Sequence, residues 1–127
     1  MRLKTELQAL DGARRDAVRT LLAWLKAKYP TRSAGVVSVV PSAKLPTGRD
    51  SVSAWQPTWV DDKHGRLTHW RITLRQDASA DALADGLLEE WAHALRAELP
   101  EWDDNRQHDP LFALVRQGLV NEWLQQT

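Results

Sequence analysis

The chain has 127 residues, 43% hydrophobic and 27% charged, which fits one compact domain with a single core and excludes global disorder. Seventeen basic residues balance seventeen acidic ones, so no overall field draws the chain onto nucleic acid or an anionic membrane. Cysteine is absent, which excludes a disulfide framework, a thiolate zinc site and a thiol nucleophile.

Met1-Arg2-Leu3-Lys4-Thr5-Glu6 opens the sequence without an apolar run of signal-peptide type, and no later stretch approaches transmembrane length. A soluble, cytoplasmic protein away from membranes is therefore expected. Asp11 is placed to cap a helix on which Val18, Leu21, Leu22 and Leu25 form an apolar stripe. Arg14, Arg15 and Arg19 fall on the other side and read as a solvated face. Pro30 should end the helix near Tyr29.

Gly35–Val40 is rich in β-branched residues and reads as a strand, followed by a loop over 42–50. Ser51–Val60 has strand character broken by Pro57, which suggests an edge strand or a bulge. Asp61-Asp62-Lys63-His64-Gly65 is turn chemistry. From Thr68 to Arg75 the residues alternate, predicting Trp70, Ile72 and Leu74 on the core and His69, Arg71, Thr73 and Arg75 outside. Asp77-Ala78-Ser79 starts a helix that should run to about Glu98. A polar loop holding Trp102 then leads to a last helix from Pro110 to about Leu124. The order predicts a single α+β domain over 1–127: an N-terminal helix, a small three-stranded antiparallel or mixed sheet, and two further helices. Seven tryptophans beside one Phe and one Tyr are expected mainly as core fillers, with one or two as cleft walls.

On a helical wheel, Ala84, Leu88, Trp91, Leu95 and Leu99 gather on one side, the expected core face. Glu89 and His93 lie one turn apart on another face, with Glu90 turned to the side. Zincin-type peptidases carry two His at this one-turn spacing as zinc ligands, and the Glu after the first acts as general base. Leu87-Leu88-Glu89-Glu90-Trp91-Ala92-His93-Ala94-Leu95 resembles the Leu-Leu-His-Glu-Trp-Ala-His-Ala-Leu helix of small metallopeptidase domains of phage and bacterial proteins, related to the SprT-like group. Those domains have a strand just before the helix, here Trp70–Leu74, and a later third His ligand, here in His108-Asp109-Pro110-Leu111-Phe112. The likeness spans about Trp55 to Trp123.

The departure is at position 89, where Glu stands in place of the first His of this degenerate motif. Either Glu89 is itself a ligand, giving a zinc ion (Zn2+) held by Glu89, His93 and His108 with Glu90 as base, or the site has decayed and the domain survives as a scaffold. On the first reading the three residues should converge around one open cleft. His64 and His69 are expected to be solvent-exposed rather than ligands. The resemblance thus implies a zinc-dependent hydrolase that cleaves peptide bonds of a peptide or protein substrate. The alternative is a catalytically inactive protein-interaction module. A nucleic-acid accessory role is opposed by the neutral charge.

Overall fold

In the computed structural model, residues 1–48, 51–59, 67–99 and 108–126 are described. Four strands, β1 (Leu3–Glu6), β2 (Ala34–Val40), β3 (Ser53–Trp59) and β4 (Leu67–Arg75), form one mixed sheet in the order β1-β2-β4-β3. β1 and β4 both run parallel to β2, whereas β3 lies antiparallel to β4 at the edge. The sheet has one strand more than predicted, because β1 reads Leu-Lys-Thr-Glu, too short and polar to show a strand pattern. Its place comes from pairing with Gly35–Ser38, a contact that local sequence does not encode. Pro57 sits on the edge strand as expected, and the pairing register shifts between Thr58 and Trp59.

The helix α1 (Gly12–Lys28) supplies the crossover that a parallel β1–β2 pair requires. Asp11 caps it, accepting from the Arg14 amide at 3.0 Å, and Tyr29 follows its last turn. Val18, Leu21, Leu22 and Leu25 are all buried, as their spacing predicted. Arg14 is only half-exposed, because its guanidinium donates to the Gln76 and Ala78 carbonyls and fastens α1 to the chain entering the next helix. Helices α2 (Ala80–Ala97) and α3 (Pro110–Gln125) complete the domain, with α2 packed on β3, β4, α1 and α3. Among the described residues, no helix is long and apolar enough to cross a membrane.

Along β4, Trp70, Ile72 and Leu74 are fully buried while His69 and Arg71 are exposed, so the alternation assigned those faces correctly. Thr73 is the exception, at 3% exposure instead of facing solvent. It sits mid-sheet between Ser38 and Ala54 in register, and the long Arg71 and Arg75 flank it along the strand. A short side chain in that row is shielded by its neighbours.

Trp70 meets Trp91 of α2 edge to face, with centroids 5.2 Å apart, and both indole N–H groups are bonded: Trp70 to Thr31 Oγ1, Trp91 to the Tyr29 carbonyl. Room for Trp70 comes from its register partner on β2, Gly35, where an added Cβ would stand 2.2 Å from the indole. Gly35→Ala must displace a closely packed ring in the middle of the core. It is expected to cost about 1–3 kcal/mol, read as a lower urea midpoint; an unchanged midpoint would mean that the ring has room to move.

The expected core face of α2 needs correction. Leu88 and Trp91 are buried, but Ala84 and Leu95 are half-buried and Leu99 is 39% exposed, whereas Leu83, Leu87 and Ala94 are completely covered. The sheet on one side and α1 and α3 on others enclose most of the helix circumference, so no single stripe defines the core.

Candidate functional site

Ser79 caps α2, accepting from the Ala82 amide at 3.2 Å, and the helix then brings Gly86, Glu90 and His93 toward edge strand β3. Glycine inside a helix costs up to about 1 kcal/mol relative to alanine, so a packing reason is expected. Here a Cβ on Gly86 would stand 2.8 Å from Ser53 Oγ and 3.1 Å from Ser53 Cβ. Its absence lets β3 approach, and one turn further along the Ser53 hydroxyl donates to Glu90 Oε2 at 2.5 Å.

Glu90 is 5% exposed. Burial pushes its carboxyl up from an ordinary 4.5 to about 7, the Ser53 hydrogen bond pulling the other way and the Glu89 charge adding to the rise. Its Oε1 lies 4.0 Å from His93 Nε2. The His93 ring is itself 5% exposed, with its centroid 5.8 Å from that of Trp55 on β3 and 4.2 Å from that of Phe112 on α3. Burial, reinforced by the charge of His108, takes His93 down to about 4, so its imidazole is neutral at pH 7. His108 Nε2 lies 3.1 Å from His93 Nε2, and its ring stacks on Phe112 at 4.8 Å. His108 is exposed, so the pair opens to solvent on that side.

Three contacts between α2 and the start and body of α3 hold this arrangement: Glu89 with Arg116, His93 with Phe112, and Arg96 with Asp109. Residue numbers rise on one side as they fall on the other, so the helices run antiparallel in a fixed register. The Arg96–Asp109 contact is the strongest. Asp109 caps α3 by accepting from the Phe112 amide at 2.8 Å and also accepts from Arg96 Nε (3.1 Å) and Nη2 (2.7 Å). His108 is the residue before that cap, so the buried pair fixes where its backbone meets α2.

Of the residues singled out from sequence, His93, His108 and Glu90 come together, and Glu89 does not join them. The Glu89 carboxylate instead lies 3.6 Å from Arg116 Nε. Among the described residues, no group of three or more His, Asp or Glu is arranged to hold a metal ion. The expected three-ligand convergence is therefore corrected to a pair of imidazoles with a buried carboxylate beside them. One-turn spacing put Glu89 on the same stripe as His93, but a guanidinium on α3 competes for it. His69 is exposed as expected, while His64 and Trp102 fall outside the described residues.

The donors fit a divalent ion at two positions. Zinc holds imidazole nitrogen at about 2.0–2.1 Å, so two ligating nitrogens stand within about 4 Å of each other, and His93 and His108 satisfy this. A neutral His93 offers a lone pair without first losing a proton. Its Nδ1 is buried with no hydrogen-bond partner among the described residues, whereas an imidazole ligand usually donates from its second nitrogen. Sequence reasoning missed Ser53, Phe112 as a ring wall, the Arg96–Asp109 pair and Arg116. Only Gly86 carried a readable signal, as a helix-interior glycine that called for a close neighbour. Compared with protein-family models, with curated proteins and with solved structures, the chain finds no match, so the metallopeptidase resemblance rests on its own residues.

Proposed function

We propose that this domain is a metallopeptidase-like hydrolase of peptide bonds, with His93 and His108 holding a zinc ion and Glu90 acting as general base. The observation that carries the reading is the 3.1 Å approach of the two imidazole Nε2 atoms beside a buried carboxylate. Zinc bound there would supply Lewis acidity to a water and to the scissile carbonyl. Glu90 takes the proton of the attacking water and delivers it to the leaving amine. Burial raises this carboxyl to about 7 in the metal-free chain, which strengthens it as a base, and the charge of a bound zinc ion would favour its ionised form at neutral pH. Ser53 orients that carboxylate through Oε2 and leaves Oε1 turned to His93. Trp55 and Phe112 hold the His93 ring from separate elements and keep bulk water from it.

A second reading, an inactive scaffold that binds a protein partner, is favoured by one observation, the engagement of Glu89 by Arg116. Metal content separates the two. Protein purified without added metal or chelator is expected to carry up to one zinc per chain, and to cleave an unfolded protein substrate. Glu89→His should raise both occupancy and turnover, because it adds a third, neutral imidazole donor one turn from His93 in place of a carboxylate that Arg116 engages. The helix tolerates the change at a few tenths of a kcal/mol. Metal-free protein that neither binds zinc nor cleaves substrate, with or without Glu89→His, would leave the scaffold reading.

A further inference from the structure

We propose that Arg116 controls the third protein ligand of the site, holding Glu89 away from the His93–His108 pair until a metal ion competes for its carboxylate. The inference rests on the metal-site reading above. Glu89 and His93 are one turn apart on α2, and opposite them Arg116 and Phe112 are one turn apart on α3. Phe112 stacks on His93 and Arg116 faces Glu89, so both contacts follow from one helix–helix register. Arg116 thus stands one helical turn from the imidazole pair.

The hold on Glu89 is weak enough to be displaced. Both side chains are about 40% exposed although Arg116 Nε itself is covered, and at 3.6 Å the contact is an ion pair without a hydrogen bond. Exposed pairs of this kind are worth little, whereas a carboxylate on a divalent ion gains the attraction of two positive charges. A Glu side chain can change partners by rotating its own bonds while the backbone of α2, tied to its neighbours at His93 and Arg96, stays in place. Arg116 is a positioning residue in this scheme. It acts through Glu89 and sets how strongly the site competes for metal.

The test is calorimetric titration of the chelator-treated full chain with zinc ion, comparing Arg116→Gln in the parent and in a Glu89→Gln background. Arg116→Gln is expected to raise zinc affinity about two- to fivefold in the parent, the free energy of an exposed ion pair returned to binding. In the Glu89→Gln background the same substitution should change nothing, since no carboxylate remains to be released. The urea midpoint of Arg116→Gln should stay close to that of the parent, which separates release of a ligand from damage to the fold. An equal gain in both backgrounds would assign the effect to the field of the guanidinium and overturn the proposal, as would no gain or a loss in the parent. Glu89→His is the control for the underlying reading. If it binds zinc while Arg116→Gln alters nothing, the control by Arg116 fails alone; if no variant binds zinc, the metal site falls and this inference with it.

Discussion

Replacing Arg96 by Met is expected to lower the stability of the fold by about 3 kcal/mol, a large share of what a domain of this size possesses. The Arg96 side chain is 4% exposed and that of Asp109 13%, so the ion pair between them is shielded from solvent. Methionine fills much of the space of the arginine stem, which limits the cavity contribution and removes the buried ion pair with Asp109. Asp109→Asn makes the complementary change. Asparagine caps a helix as well as aspartate does, so the Phe112 amide keeps its acceptor while the charge opposite the Arg96 guanidinium at this contact is removed. Urea denaturation should show both single variants shifted to lower midpoints with similar slopes. The double variant should recover part of the loss, because each single change strips a buried charge of this contact and the double change removes both charges together. Losses below about 1 kcal/mol in both single variants would show that the Arg96–Asp109 pair contributes no more than an exposed one. His108 adjoins Asp109, so on the proposed metal-site reading zinc affinity should fall in each variant even where the protein stays folded.

That pair also marks where sequence reading reaches its limit. The stripe on α1, the alternation on β4 and the caps at Asp11 and Ser79 were legible because each is written within one element, in its spacing or at its boundary. The approach of Glu90 to His93 on this helix, 4.0 Å between Oε1 and Nε2, follows from positions three residues apart. Glu89 shows why spacing alone does not make a ligand set: the helix stripe allowed it to join His93, and Arg116 on another helix engaged it. Strand β1 and the full enclosure of α2 likewise depend on partners distant in sequence. Arg96 looks like one more charged residue near a helix end, and nothing near it in sequence indicates that it is buried against an aspartate thirteen positions later.

Glu90→Gln is expected to stabilise the metal-free protein above pH 7 while abolishing hydrolysis. The folded state raises the Glu90 carboxyl from 4.5 to about 7, so between these values the native chain holds a proton that the unfolded chain has released. Stability therefore falls as pH rises across this window: the contribution is full below 4.5 and lost once pH passes 7. The accumulated cost above pH 7 is roughly 3 kcal/mol on the scale of 1.36 kcal/mol per pH unit. Glutamine has nearly the same shape, keeps a carbonyl to accept from Ser53 and has no proton to lose. In chelator-treated samples, the stability difference between variant and parent should be small at pH 4 and grow in favour of Glu90→Gln toward pH 8. Parallel stability curves from pH 4 to pH 8 would mean that Glu90 is solvated and cannot be the buried proton carrier. On the proposed hydrolase reading, cleavage of an unfolded substrate should disappear at every pH while zinc stays bound at His93 and His108, because only the base is lost. The two effects have one origin. Burial that raises the carboxyl destabilises the apo fold when Glu90 ionises, and on the proposed reading the same burial makes the carboxylate a stronger base for the attacking water.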